Sequence, residues 1–119
     1  MEMTNLNKTA EFAAFYGTTA YYQFFLGTNL TDGVKHLADQ YQCFWFLSEI
    51  AIRSKNHPKE PFQVWKLKRV SNDSNAFVIT GTNGNRKILE TVDIPFSDFK
   101  AGEVEVWITE GVMLLPSEY

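Results

Sequence analysis

CFWFLSEIAIRSKNHPKEPFQVWKLKRV, residues 43–70, is the stretch in which the chain changes its period. Cys43 to Ile52 is apolar almost all round, interrupted only by Ser48 and Glu49, and reads as a helix buried on most sides. Arg53, Lys55 and His57 follow, where cations complement the negative end of a helix dipole, and Pro58 prevents continuation. After Pro61, FQVWKLKRV (62–70) is rich in β-forming residues. A buried helix that hands over to strands predicts an α+β layer, helices first and sheet after.

Upstream, Thr31-Asp32 offers a side chain to cap a helix on which Val34, Leu37, Ala38 and Tyr41 recur at helical spacing, with a bend near Tyr41-Gln42. Residues 1–7 are polar and read as flexible. Lys8 to Tyr16 reads as a short helix ended by Gly17, and TTAYYQFFL (18–26) fits either a helical turn or a strand. Downstream come NAFVITGT (75–82), the hairpin signal Asn83-Gly84, KILETVDIPF (87–96), EVEVWIT (103–109) and VMLLP (112–116). The architecture expected is N-terminal helices with a buried central helix packed on an antiparallel sheet of four to five strands, a β-meander, in one domain over residues 1–119. Phe44, Trp45, Leu47, Ile50, Val104, Val106 and Ile108 should share its core. VMLLP should pair into the sheet or pack on the helix, because apolar residues are seldom left in water.

The chain has 119 residues, 45% hydrophobic, 15% aromatic and 21% charged. At this size roughly two-thirds of the extended surface can be buried, enough for a core without disulfides or a structural metal. A net charge of −3 disfavours a general electrostatic grip on nucleic acid or an anionic membrane. The one cysteine, Cys43, rules out an intramolecular disulfide. With no signal peptide and no bilayer-length apolar run, the expected setting is the cytoplasm.

Catalytic patterns are missing. The seven glycines are dispersed at turns, and His36, His57 and Cys43 show no metal-ligand spacing. Cys43, beside Phe44, Trp45 and Phe46, reads as an inert core thiol, and both histidines read as solvent-exposed. The carboxylate pairs Asp93/Asp98 and Glu103/Glu105 read as surface charges. The expectation is a protein that is not an enzyme, with no catalytic residue, metal or cofactor.

Binding is the function class that remains. If Val104, Val106 and Ile108 point inward, Glu103, Glu105, Trp107 and Thr109 point outward. Trp107 is then either covered by the aromatic segment Tyr21–Phe25 or a chain terminus, or exposed. Exposed, and ringed by Glu103, Glu105 and Glu110, it has the anatomy of an anchor with an acidic rim, suited to a basic protein surface or a self-associating homodimer. The alternative is a small regulatory or nucleic-acid-binding module built on the basic stretch 53–70, with Trp65, Lys66, Lys68 and Arg69 as its contacts. That stretch holds six basic residues and one acidic, whereas residues 71–119 hold three basic and eight acidic. Cross-strand pairing inside the sheet would absorb the imbalance; a polarised surface that steers a partner would express it.

TDGVKHLADQ (31–40), FWFLSEIA (44–51), FQVWKLKRV (62–70), IPFSDF (94–99) and EGVMLLPSEY (110–119) together resemble a family of small bacterial, plasmid and phage proteins catalogued as a domain of unknown function. The likeness runs from about Phe15 onward and carries no catalytic residue with it. It implies a mobile-element setting in which many products are accessory binders. The expected function is therefore a non-enzymatic protein that binds a macromolecular partner, as an inhibitor of a bacterial defence system such as a CRISPR nuclease (anti-CRISPR-like).

Overall fold

The computed structural model describes residues 21–119. The expected helix over 8–16 and flexible start over 1–7 lie outside the described residues. In chain order the elements are β1 (Tyr21–Gln23), a 3-10 turn (Phe25–Gly27), β2 (Asn29–Thr31), α1 (Asp32–Tyr41), α2 (Phe44–Ser54), β3 (Phe62–Arg69), β4 (Phe77–Thr82), β5 (Ile88–Ile94), β6 (Glu103–Thr109), β7 (Val112–Leu114) and a closing 3-10 turn (Pro116–Glu118). The strands form one sheet in the order β1-β2-β7-β6-β3-β4-β5.

That order corrects the expected four-to-five-stranded antiparallel meander with N-terminal helices. Among the described residues the sheet has seven strands and is mixed, because β2 runs parallel to β7 while every other pair is antiparallel. Among the described residues the chain enters the sheet before its two helices, through β1 and β2. After β5 it returns to the free side of β3, so β6 pairs with β3 and not with its predecessor. Alternation reports which face a residue takes, not which strand lies beside it. Three-residue strands are too short to carry a period at all.

The helix boundaries follow the sequence. The Thr31 hydroxyl accepts the Val34 N–H at 3.4 Å, capping α1. Gln42, at φ 53°, breaks the run into two helices and does not merely bend it. Val34 and Leu37 of α1 and Phe46, Leu47 and Ile50 of α2 are buried against Leu30, Trp65, Leu67, Phe77, Ile79, Val106, Ile108 and Met113 of the sheet. Of the expected core, Leu47, Ile50, Val106 and Ile108 are buried, and Phe44, Trp45 and Val104 pack against it from half-buried positions. VMLLP supplies β7 and the buried Met113 and Leu115.

Trp65 fixes the middle of this layer. It is fully buried, and its ring lies so close over Gly81 that a Cβ there would meet it at 2.6 Å. Its indole N–H donates to Gln63 Oε1 at 3.0 Å. The Gln63 amide N–H₂ in turn donates to the carbonyls of Ser54, His57 and Glu60, which ties the end of α2 to β3. A buried polar side chain is tolerated where its bonding capacity is met in this way.

Candidate interaction face

The helices cover one face of the sheet and leave the other open among the described residues. Register assigns the open side. Phe62, Val64, Lys66 and Lys68 of β3 stand opposite Thr109, Trp107, Glu105 and Glu103 of β6, and Trp107 stands opposite Leu114 of β7. Side chains paired across strands share a face.

At one end of this face three rings meet. Phe62 and Trp107 have centroids 5.2 Å apart, Trp107 and Tyr119 5.3 Å, and Phe62 and Tyr119 5.8 Å, in edge-on or tilted geometry. Trp107 is half-buried, and Tyr119 keeps 78% of its surface exposed. The Trp107 N–H donates to Glu105 Oε2 at 2.6 Å. Tyr119 covers Trp107 only in part, so the outcome lies between the covered and exposed readings.

The position of Tyr119 rests on its neighbour. Glu118 is buried, and its carboxylate accepts the Thr31 hydroxyl at 2.6 Å, the Leu115 N–H at 2.8 Å and the Gly33 N–H at 3.1 Å. Burial pushes its pKa up, against these donors, and the nearby Asp32 charge adds to the rise. A Cβ at Gly33 would lie 2.7 Å from Leu115 Cδ1 and 2.9 Å from the Glu118 carboxyl, so any larger residue there would force these side chains of the closing turn to shift. The Thr31 and Gly33 contacts span more than eighty residues, and no local spacing advertised them.

Beside the trio a hollow of about 360 Å³ is lined by Tyr21, Thr31, Thr109, Glu110, Val112 and Leu114. On the other side runs an ion-pair ladder, Lys66 Nζ lying 3.4 Å from Glu103 and 3.9 Å from Glu105. The basic β3 thus pairs with the acidic β6 across the sheet. Of the anchor set, Trp107, Glu103 and Glu105 come together here, while Glu110 sits in the β6–β7 turn at the margin of the hollow.

The basic set does not assemble. Trp65 is in the core and presents no ring for stacking. Arg69 donates to the carbonyls of Ser74 at 2.7 Å and Phe99 at 3.0 Å and lies over the Phe77 ring. Lys66 and Lys68 alone remain on the open face.

A second polar cluster sits where α2 meets β5. Glu90 receives Arg53 Nη1 at 3.0 Å and Asn56 Nδ2 at 3.1 Å, and His57 Nε2 lies 2.7 Å away. Burial raises the Glu90 pKa, but the Asn56, Arg53 and His57 bonds outweigh it and hold the carboxyl below the ordinary range. His57 is therefore half-buried and bonded, not solvent-exposed as its loop position implied. Cys43 is buried as expected, its pKa pushed up to about 12 by loss of solvent, which leaves it an unreactive thiol. Among the described residues no cluster of metal-ligating side chains forms, and no helix is long and apolar enough to cross a membrane.

A model of a family of unknown function, DUF6876, matches residues 6–119. The chain belongs to that family. No curated protein matches the chain, and no solved structure does. The fold of this chain is thus described by its own geometry, and among the described residues the open face is the part that the core leaves uncommitted.

Proposed function

We propose that this DUF6876 protein is a non-enzymatic binding protein that grips a protein partner on the open sheet face. The observation that carries this reading is the Phe62–Trp107–Tyr119 trio on a face that no helix among the described residues covers. Aromatic anchors beside a hollow, bordered by charge, are the usual makeup of an interface centre. Glu103, Glu105 and Glu110 against Lys66 and Lys68 leave the face net acidic, so the partner segment offers an apolar side chain flanked by basic ones. A cytoplasmic setting fits the lone buried thiol. The narrower identification of the partner as a defence effector such as a CRISPR nuclease is supported by the family setting alone.

The test is quantitative capture from a bacterial lysate, with wild type and Trp107→Ala as parallel baits. Trp107→Ala should weaken capture by at least about 2 kcal/mol, roughly 30-fold in Kd. Equal capture by both would place the interface elsewhere. Reversing Glu103 and Glu105 to Lys should mainly slow association, more so at low salt. Inhibition assays against purified nuclease effectors test the narrower identification, and unchanged nuclease activity would end it.

A further inference from the structure

The open face is not level. Tyr21 of β1 pairs with Thr31 of β2, and Trp107 of β6 pairs with Leu114 of β7, so two large rings stand on either side of β2 and β7. Three strand spacings, roughly 14 Å, separate them. Between them Thr31, Val112 and Leu114 are shorter, and the surface drops into the hollow of about 360 Å³. That is room for one long side chain. Tyr21 walls it on the β1 side and is 62% exposed. Among the described residues no basic side chain lines it. Glu118 closes one end, its oxygens committed to Thr31, Gly33 and Leu115. Glu110, in the turn at the other end of β7, is exposed. Lys66 answers Glu103 and Glu105, whereas Glu110 has no ion-pair partner among the described residues. The backbone there is also unusual. Glu110 and Gly111 have φ 50° and 78°, a two-residue hairpin turn whose first position ordinarily holds asparagine, aspartate or glycine. A glutamate at that position gives up backbone stability and sets a longer carboxylate beside the hollow.

We propose that this hollow is the pocket for an arginine side chain of the protein partner, with Glu110 as its counter-charge. The proposal rests on the open face being the interface, and it names the residue that the partner inserts there. An arginine stem lies well along apolar surface, here Val112 and Leu114, while its head stays polar. The planar guanidinium offers a fork of N–H donors to a carboxylate and stacks on aromatic faces, here the exposed ring of Tyr21. It is more weakly hydrated than an ammonium, which favours arginine over lysine in a walled site. A neutral side chain would leave Glu110 unanswered. An acidic one would meet Glu110 and the net negative charge of the face.

The probe is N-acetyl-L-arginine amide, titrated into the full chain and followed by NMR. The amide signals of Thr109, Val112 and Leu114 should shift saturably in the millimolar range, the strength expected of a single side chain. The lysine analogue should bind several-fold more weakly, and the uncharged citrulline analogue not at all. Glu110→Asn separates site from scaffold, because asparagine suits the turn. Its melting point should match or exceed that of wild type, while arginine binding falls at least about tenfold. Glu110→Gln keeps the length of the side chain and removes its charge, and should lose the same binding. No saturable shift in wild type, equal shifts with the lysine or citrulline analogue, or undiminished binding in either Glu110 variant would overturn the proposal. Absence of binding while lysate capture still depends on Trp107 would remove the arginine pocket and leave the interface. Binding while capture ignores Trp107 would uphold the pocket and remove the aromatic trio from the interface.

Discussion

Trp65 and Trp107 sit on neighbouring strands one register step apart, Trp65 opposite Val106 and Trp107 opposite Val64, yet they face opposite ways. Trp65 is sealed under the helices with its N–H on a buried amide. Trp107 leans on Phe62 and Tyr119 in the open, with its N–H on a surface carboxylate. The same side chain is thus committed to stability on one face and left available on the other. What separates the two is strand alternation together with the helix layer, not local composition.

The largest expected effect concerns the segment that both faces share. Deleting residues 112–119 removes β7, which joins β2 to β6, and with it the Glu118 bonds to α1, so cooperative unfolding in a thermal melt should vanish. A retained sharp transition would show that the covered face stands without it. Next comes the core ring. Trp65→Ala should lower stability by about 3–5 kcal/mol in denaturant titration. Glu118→Ala should cost about 1–3 kcal/mol, because it strands the Gly33 and Leu115 N–H groups under cover. Trp107→Ala loses only ring contacts at a half-open position, about 0.5–1.5 kcal/mol. A loss as large as that of Trp65 would erase the contrast.

The two shifted carboxylates sharpen the comparison through pH. The folded pKa of Glu118 is raised, so its contribution is fully present below the unfolded carboxylate pKa and is lost as pH climbs through the folded value. The folded pKa of Glu90 is lowered, so its contribution is present above the unfolded pKa and is lost as pH falls through the folded value. Glu90→Gln should therefore leave stability nearly unchanged below the folded pKa and reduce it slightly at neutral pH. Stability titrations of wild type and variant across the acid range check the sign.

Much of this fold was legible in the sequence. The switch from helix to strand within 43–70 and the alternation of Glu103–Thr109 each express a periodic pattern with one buried side, and the return of VMLLP follows from apolar residues that are seldom left in water. What was not legible has a common cause. β1 and β2 are too short to show a period, and the pairings of β6 with β3 and β2 with β7 are long-range choices that alternation does not encode. For the site, alternation placed Trp107, Glu103 and Glu105 together. Phe62 and Tyr119 escaped notice because their proximity is created by register and by the Glu118 turn. Trp65 was counted with its basic neighbours as a surface group, although alternation along FQVWKLKRV turns it away from Lys66 and Lys68.

Acrylamide quenching of single-tryptophan variants tests the division between the two faces most directly. With Trp45 replaced by Phe and either Trp65 or Trp107 retained, Trp107 fluorescence should be quenched readily in the free protein and Trp65 fluorescence hardly at all. Equal protection of the two would mean that the face carrying Trp107 is already covered, and would contradict the account.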